Sequence, residues 1–66
     1  MRISEWELEK EIDILISAAM SSGSNESARR FLIKAENKLY GYDDIPDSVM
    51  QRMKDKINMA RKELNI

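Results

Sequence analysis

The residues of this chain best suited to chemistry are acids. Asp43-Asp44-Ile45-Pro46-Asp47 has the spacing D-D-x-x-D, and paired carboxylates on a rigid turn can hold Mg2+ and, through it, a diphosphate. Such a site needs a helical cavity several times larger than 66 residues can enclose. The same acids have a simpler use in the first turn of a helix, where negative charge complements the helix dipole. A second set, Glu7/Glu11 and Glu9/Asp13, is spaced i, i+4. Di-metal bundles pair inward glutamates with Glu-x-x-His segments on facing helices. Here histidine is absent and no other segment offers matching inward acids, so a solvated face is expected.

Nucleophilic chemistry fares no better. Ser4, Ser17, Ser21, Ser22, Ser24, Ser27 and Ser48 lack the histidine that usually activates a serine. The only glycines are Gly23 and Gly41, so there is no glycine-rich phosphate loop. The absence of both cysteine and histidine rules out disulfides and the usual zinc sites. Asn25-Glu26-Ser27 is formally a glycosylation sequon but reads as a helix cap and first turn. The expectation is a non-enzymatic protein with no catalytic residue, no cofactor and no metal.

The cations allow one further chemistry, phosphate binding. Arg29, Arg30 and Lys34 form a modest patch, and Lys54 and Arg61 lie further along the chain. A groove-binding helix concentrates its charges on one face. The basic residues of the last segment are instead spread around its polar arc, with Asp55 and Glu63 among them. The net charge of −1 offers no general attraction for phosphate. Nucleic-acid binding through these five cations is therefore the alternative reading.

Three elements must carry all of these residues. Leu8, Ile12, Leu15 and Ala19 step by four, three and four, as do Ala28, Leu32, Ala35 and Leu39. Met50, Met53, Ile57, Ala60 and Leu64 continue the pattern. This spacing predicts three amphipathic helices, each with a narrow apolar seam. Ser4-x-x-Glu7 predicts a capping box for the first, with Ile3 and Leu8 as its hydrophobic staple. Ser21-Ser22-Gly23-Ser24 predicts a break, with Gly23 in the left-handed conformation. Ser24 or Asn25 is expected to cap the second helix, and Gly41 suits the residue after its end. Pro46 fits the first turn of the third. The predicted fold is all-α, a single domain over 1–66. It is a small antiparallel three-helix bundle with helices at about 4–20, 25–40 and 46–65, joined by short loops.

Residues 1–20 hold two basic against five acidic residues, and residues 48–66 hold five basic against two acidic. An acidic helix 1 and a basic helix 3 are expected to neighbour one another, within one chain or between chains. Met1 to Leu8 holds one basic residue and no apolar core, so no signal peptide is expected. No apolar run approaches a membrane span. A cytoplasmic location is the expectation.

Ile16, Met20, Phe31 and Val49 widen the seams, yet Ala19, Ala28, Ala35 and Ala60 bury little. A chain this short gains little net stability from such a core. That points to oligomerisation or a partner. Five apolar residues fall off the seams and are the candidate protein-binding positions: Trp6, Ile14, Ile33, Tyr40 and Met59. Ile33 and Tyr40 share a helix face, and Ile66 is expected on the side of Met59. Trp6 could instead close the end of the bundle as a lid.

Two short segments, Asn37-Lys38-Leu39-Tyr40 and Ile45-Pro46-Asp47-Ser48-Val49, resemble the C-terminal part of the Hha family. Those are small helical bacterial proteins that bind nucleoid-associated partners and modulate gene silencing. The similarity covers nine residues. The chain departs from that family in the residues between the two segments, in Met50 where the family tends to have tryptophan, and in a full helix beyond. Helix 1 has no counterpart. The resemblance implies an interaction module. The leading expectation from the residues is the same: a small adaptor, regulator or inhibitor that presents a helical face to another protein or to itself.

Overall fold

The structure, a computed structural model, describes residues 4–42 and 44–66. Its elements are α1 (Glu5–Met20), α2 (Asn25–Tyr40) and α3 (Asp47–Leu64). There is no strand among the described residues. The three helices pack against one another in every pairing, as a small all-α bundle. Cross-helix partners give the directions. Glu11 of α1 meets Lys38 near the end of α2, while the end of α1 at Met20 adjoins the start of α2 at Asn25, so these two are antiparallel. Glu36 of α2 meets Arg61 of α3, and Tyr40, one turn later, meets the earlier Lys54, so α2 and α3 are antiparallel too. Glu9 meets Arg52 and Asp13 meets Lys56, both 43 residues apart, so α1 and α3 run parallel.

The seams form the core. Leu8, Ile12, Leu32, Leu39, Met53 and Ile57 are the large fully buried side chains. Ala19, Ala28, Ala35 and Ala60 fill the positions between them. Leu15, Met50 and Leu64 pack at the margin, as do Ile16, Phe31 and Val49. Met20 departs from the expectation: it is exposed, because it points about 100° round the helix from the buried Ala19, into the α1–α3 groove. Ile45, in the α2–α3 connection, is buried and folds that connection onto the core. Tyr42 packs partly against the same core.

The helix ends differ from the sequence reading in three ways. Ser4 stands at the N-cap of α1 with extended backbone but makes no side-chain cap hydrogen bond, so the expected capping box is not formed. Ile3, its staple partner, lies outside the described residues, as does Asp43. Gly41 ends α2 at φ −78°, a conformation open to any residue, so its freedom is not used. Asn65 takes the left-handed position at φ 61° and closes α3. The N–H of Ile66 donates to Arg61 O at 3.1 Å and that of Asn65 to Lys62 O at 3.2 Å. This paired closure turns Ile66 back against the core rather than outward beside Met59.

The first loop follows expectation. Gly23 has φ +80°. Ser24 caps α2, its Oγ accepting from the N–H of Ser27 at 3.2 Å. Ser21 Oγ donates to Ser17 O at 2.9 Å, and Ser22 Oγ lies 2.9 Å from Ala19 O, adding to the backbone N–H groups of the same serines that close the end of α1.

Candidate protein-docking surfaces

The polar rims are occupied before any partner arrives. Arg52 Nε donates to Glu9 Oε2 at 3.0 Å. Lys56 Nζ donates to Asp13 Oδ1 at 3.1 Å and lies 3.4 Å from Glu9 Oε1. The acidic rim of α1 thus lies along the basic rim of α3 within one chain. The hydrogen bond from Arg52 holds the Glu9 carboxyl below its ordinary value of 4.5, partial loss of water opposes this, and the Lys56 and Arg52 charges add to the lowering. On the second edge, Lys38 Nζ sits 3.3 Å from Glu11 Oε2. That oxygen is shielded from water and lacks a well-directed hydrogen bond, so Lys38 serves it as a counter-charge. On the third edge, Arg61 pairs with Glu36. Exposed pairs each contribute about 0–1 kcal/mol. Their effect is to select the helix arrangement rather than to hold it.

These pairings also account for several candidate phosphate ligands. Arg30 is engaged by Glu26 at 3.2 Å and Arg61 by Glu36. Lys34 Nζ lies 5.7 Å from the centre of the Phe31 ring, and Lys54 Nζ lies 5.3 Å from that of Tyr40. Arg29 is exposed on α2. Lys54 and Arg61 lie on the α2–α3 edge near Tyr40, whereas Arg30 and Lys34 do not line that cleft, so the five cations form no single face.

Trp6, Ile14, Ile33, Tyr40 and Met59 are all exposed, from 44% for Ile33 to 65% for Trp6. The structure does not bring them together. Trp6 stands off the first turns of α1 with Lys10 Nζ 5.9 Å from its ring, and forms no lid. Ile14 lies on the α1–α2 edge beside Leu15, Glu11 and Lys38. Tyr40 lies on the α2–α3 edge, and Ile33, seven residues before it, shares that side. Met59 lies on the α1–α3 edge.

That last edge holds the feature the sequence reading missed. Ile16, Met20, Met59 and Ala60 line a shallow apolar groove of about 210 Å3, bounded by Asp13, Lys56 and Glu63. It lies beyond the Asp13–Lys56 pair, toward the C-terminal ends of both helices. Finding it requires knowing that α1 and α3 run side by side with a 43-residue offset, because no single seam contains both methionines.

Among the described residues, no group of histidines, cysteines and acids is arranged to hold a metal. Asp44 and Asp47 are exposed at the start of α3. Among the described residues no helix is long and apolar enough to cross a membrane. No protein family, curated protein or solved structure was found to match this chain.

Proposed function

We propose that this chain is a small protein-interaction module, an adaptor, regulator or inhibitor that presents an exposed helical face to another protein or to a second copy of itself. The observation that supports this reading is the apolar groove between α1 and α3. Single exposed apolar side chains are ordinary on protein surfaces. Met20, at 43% exposure, and Met59, at 63%, instead adjoin Ile16 and Ala60 in one patch. Methionine is enriched at interface cores, and its flexible thioether adapts to a partner's shape. The alanine-rich core gives the chain a further reason to associate, because a bound partner adds stability to a bundle this small.

The same reading is non-enzymatic and cofactor-free, since the chain lacks the histidine and cysteine of common catalytic and metal sites. It places the protein in the cytoplasm. Phosphate binding through Arg29, Arg30, Lys34, Lys54 and Arg61 is the weaker reading, because acids of the chain already hold Arg30 and Arg61.

Four surface variants test the proposal: Trp6→Ala, Ile33→Asp, Tyr40→Asp and Met59→Lys. Association, with itself or with a captured protein, should fall at least about tenfold for variants on one side of the bundle and change little for the others. Equal association by all four, each retaining native helicity, would count decisively against it.

A further inference from the structure

The charges around Met59 specify what covers the groove. Met59 stands exposed on the α1–α3 edge, on the α3 side of the groove. Asp55 lies one turn before it and Lys62 one turn after it, both on the same side of the Met59 direction. Lys56 and Glu63 lie one turn before and after on the other side, at the groove. Within α3, each side of Met59 therefore carries one acid and one base at nearly equal axial distances, about 4.5–6 Å along the helix, and on the groove side Asp13 of α1 also pairs with Lys56. A two-fold axis perpendicular to α3 at Met59 reverses the axial order and keeps the sides. It sets Asp55 against Lys62 of a second copy, and Lys56 against Glu63.

We infer that this face is a homodimer interface, with two α3 helices packed antiparallel about Met59 and the Met20–Met59 grooves of both copies closed against each other. The inference rests on the interaction reading above and names its partner as a second copy of this chain. A two-fold interface must be self-complementary. A face bearing charge of one sign on either side of Met59 would repel its copy, and this face does not. Asp55 and Lys62 are exposed; Asp55 accepts a 3.0 Å hydrogen bond from Gln51 on its own helix. A standard interface takes about 800 Å2 from each partner. That is about one sixth of the 4626 Å2 surface.

Charge exchange across the axis tests the register. Asp55→Lys alone places lysine opposite lysine at both symmetric sites. Lys62→Asp alone places acid opposite acid at both. An equimolar mixture of the two variants restores unlike charges at both sites of the mixed pair. Sedimentation equilibrium from about 1 µM to about 1 mM reads the dissociation constants, with helicity at 222 nm showing that each variant folds. The expected result is a wild-type dimer, weakened at least about tenfold in each variant alone and restored to within about threefold in the mixture. Met59→Lys should leave only monomer. A wild-type dimer unchanged in all three variants would overturn the inference and leave the interaction reading standing on another face. A wild type that stays monomeric throughout would also overturn it, and the four-variant comparison would then decide the wider reading alone.

Discussion

Leu32→Ala should remove a large part of this protein's stability. α2 contributes two large fully buried side chains to the core, Leu32 and Leu39, with Ala28 and Ala35 between and beside them and Phe31 at the margin. Leu32 is fully buried. Truncating it removes three buried carbons, about 2.4 kcal/mol at about 0.8 kcal/mol per methylene. The cavity left behind brings the cost to about 2–5 kcal/mol. A chain of this length is stable by roughly 3–10 kcal/mol. The variant is thus expected to lose between about a fifth and all of its stability. Urea unfolding followed at 222 nm measures this, because the helices rather than the exposed Trp6 report the transition. Ile33→Ala is the matched control: its neighbour in sequence, 44% exposed, should change stability by no more than about 0.5 kcal/mol. A loss under about 1 kcal/mol for Leu32→Ala, or equal losses for both variants, would refute the assignment of the core.

Acid should weaken the fold through Glu9. Its folded-state carboxyl is held below 4.5, chiefly by the hydrogen bond from Arg52, so its contribution is complete above that value and is lost as pH falls through the lower folded one. Unfolding measured from about pH 6 to about pH 2 should show a shallower decline for Glu9→Gln than for the wild type. The two glycines should respond oppositely to alanine. Gly23→Ala places a side chain at φ +80° and should cost about 1 kcal/mol by denaturant unfolding. Gly41→Ala meets only ordinary contacts, the nearest at 3.4 Å, and should gain about 0.4–1 kcal/mol through the unfolded chain.

The helices and their buried seams were legible in the sequence because period and burial are local properties. Leu8, Ile12, Leu32, Leu39, Met53 and Ile57 all belong to the predicted stripes and are all buried. The charge contrast between the first and last segments also pointed to the α1–α3 contact that Glu9, Asp13, Arg52 and Lys56 make. What stayed hidden depends on how elements end and meet. Ile45 carries no periodic signal, since it is buried by the path of a loop. Asn65 takes a left-handed cap at the end of α3, where no glycine signals one. Met20 reads as a widening of the seam, yet it lies on its flank and opens onto the α1–α3 groove. The groove joins residues of two helices far apart in sequence, so neither helix alone announces it. The five off-seam residues were legible singly as exposed, but their distribution over three sides follows only from the packing.

The central claim is that an exposed apolar side, and not the sealed polar rims, brings this chain to another protein. Site-specific photo-crosslinking tests it most directly. A photoreactive residue is placed in turn at Trp6, Ile33, Tyr40 and Met59, all exposed positions where the fold tolerates replacement. The account predicts a discrete protein adduct from Met59, of twice the 7.7 kDa chain mass if the partner is a second copy, and little from the opposite sides. Adducts of equal yield from all four positions, or none from any of them, would contradict it.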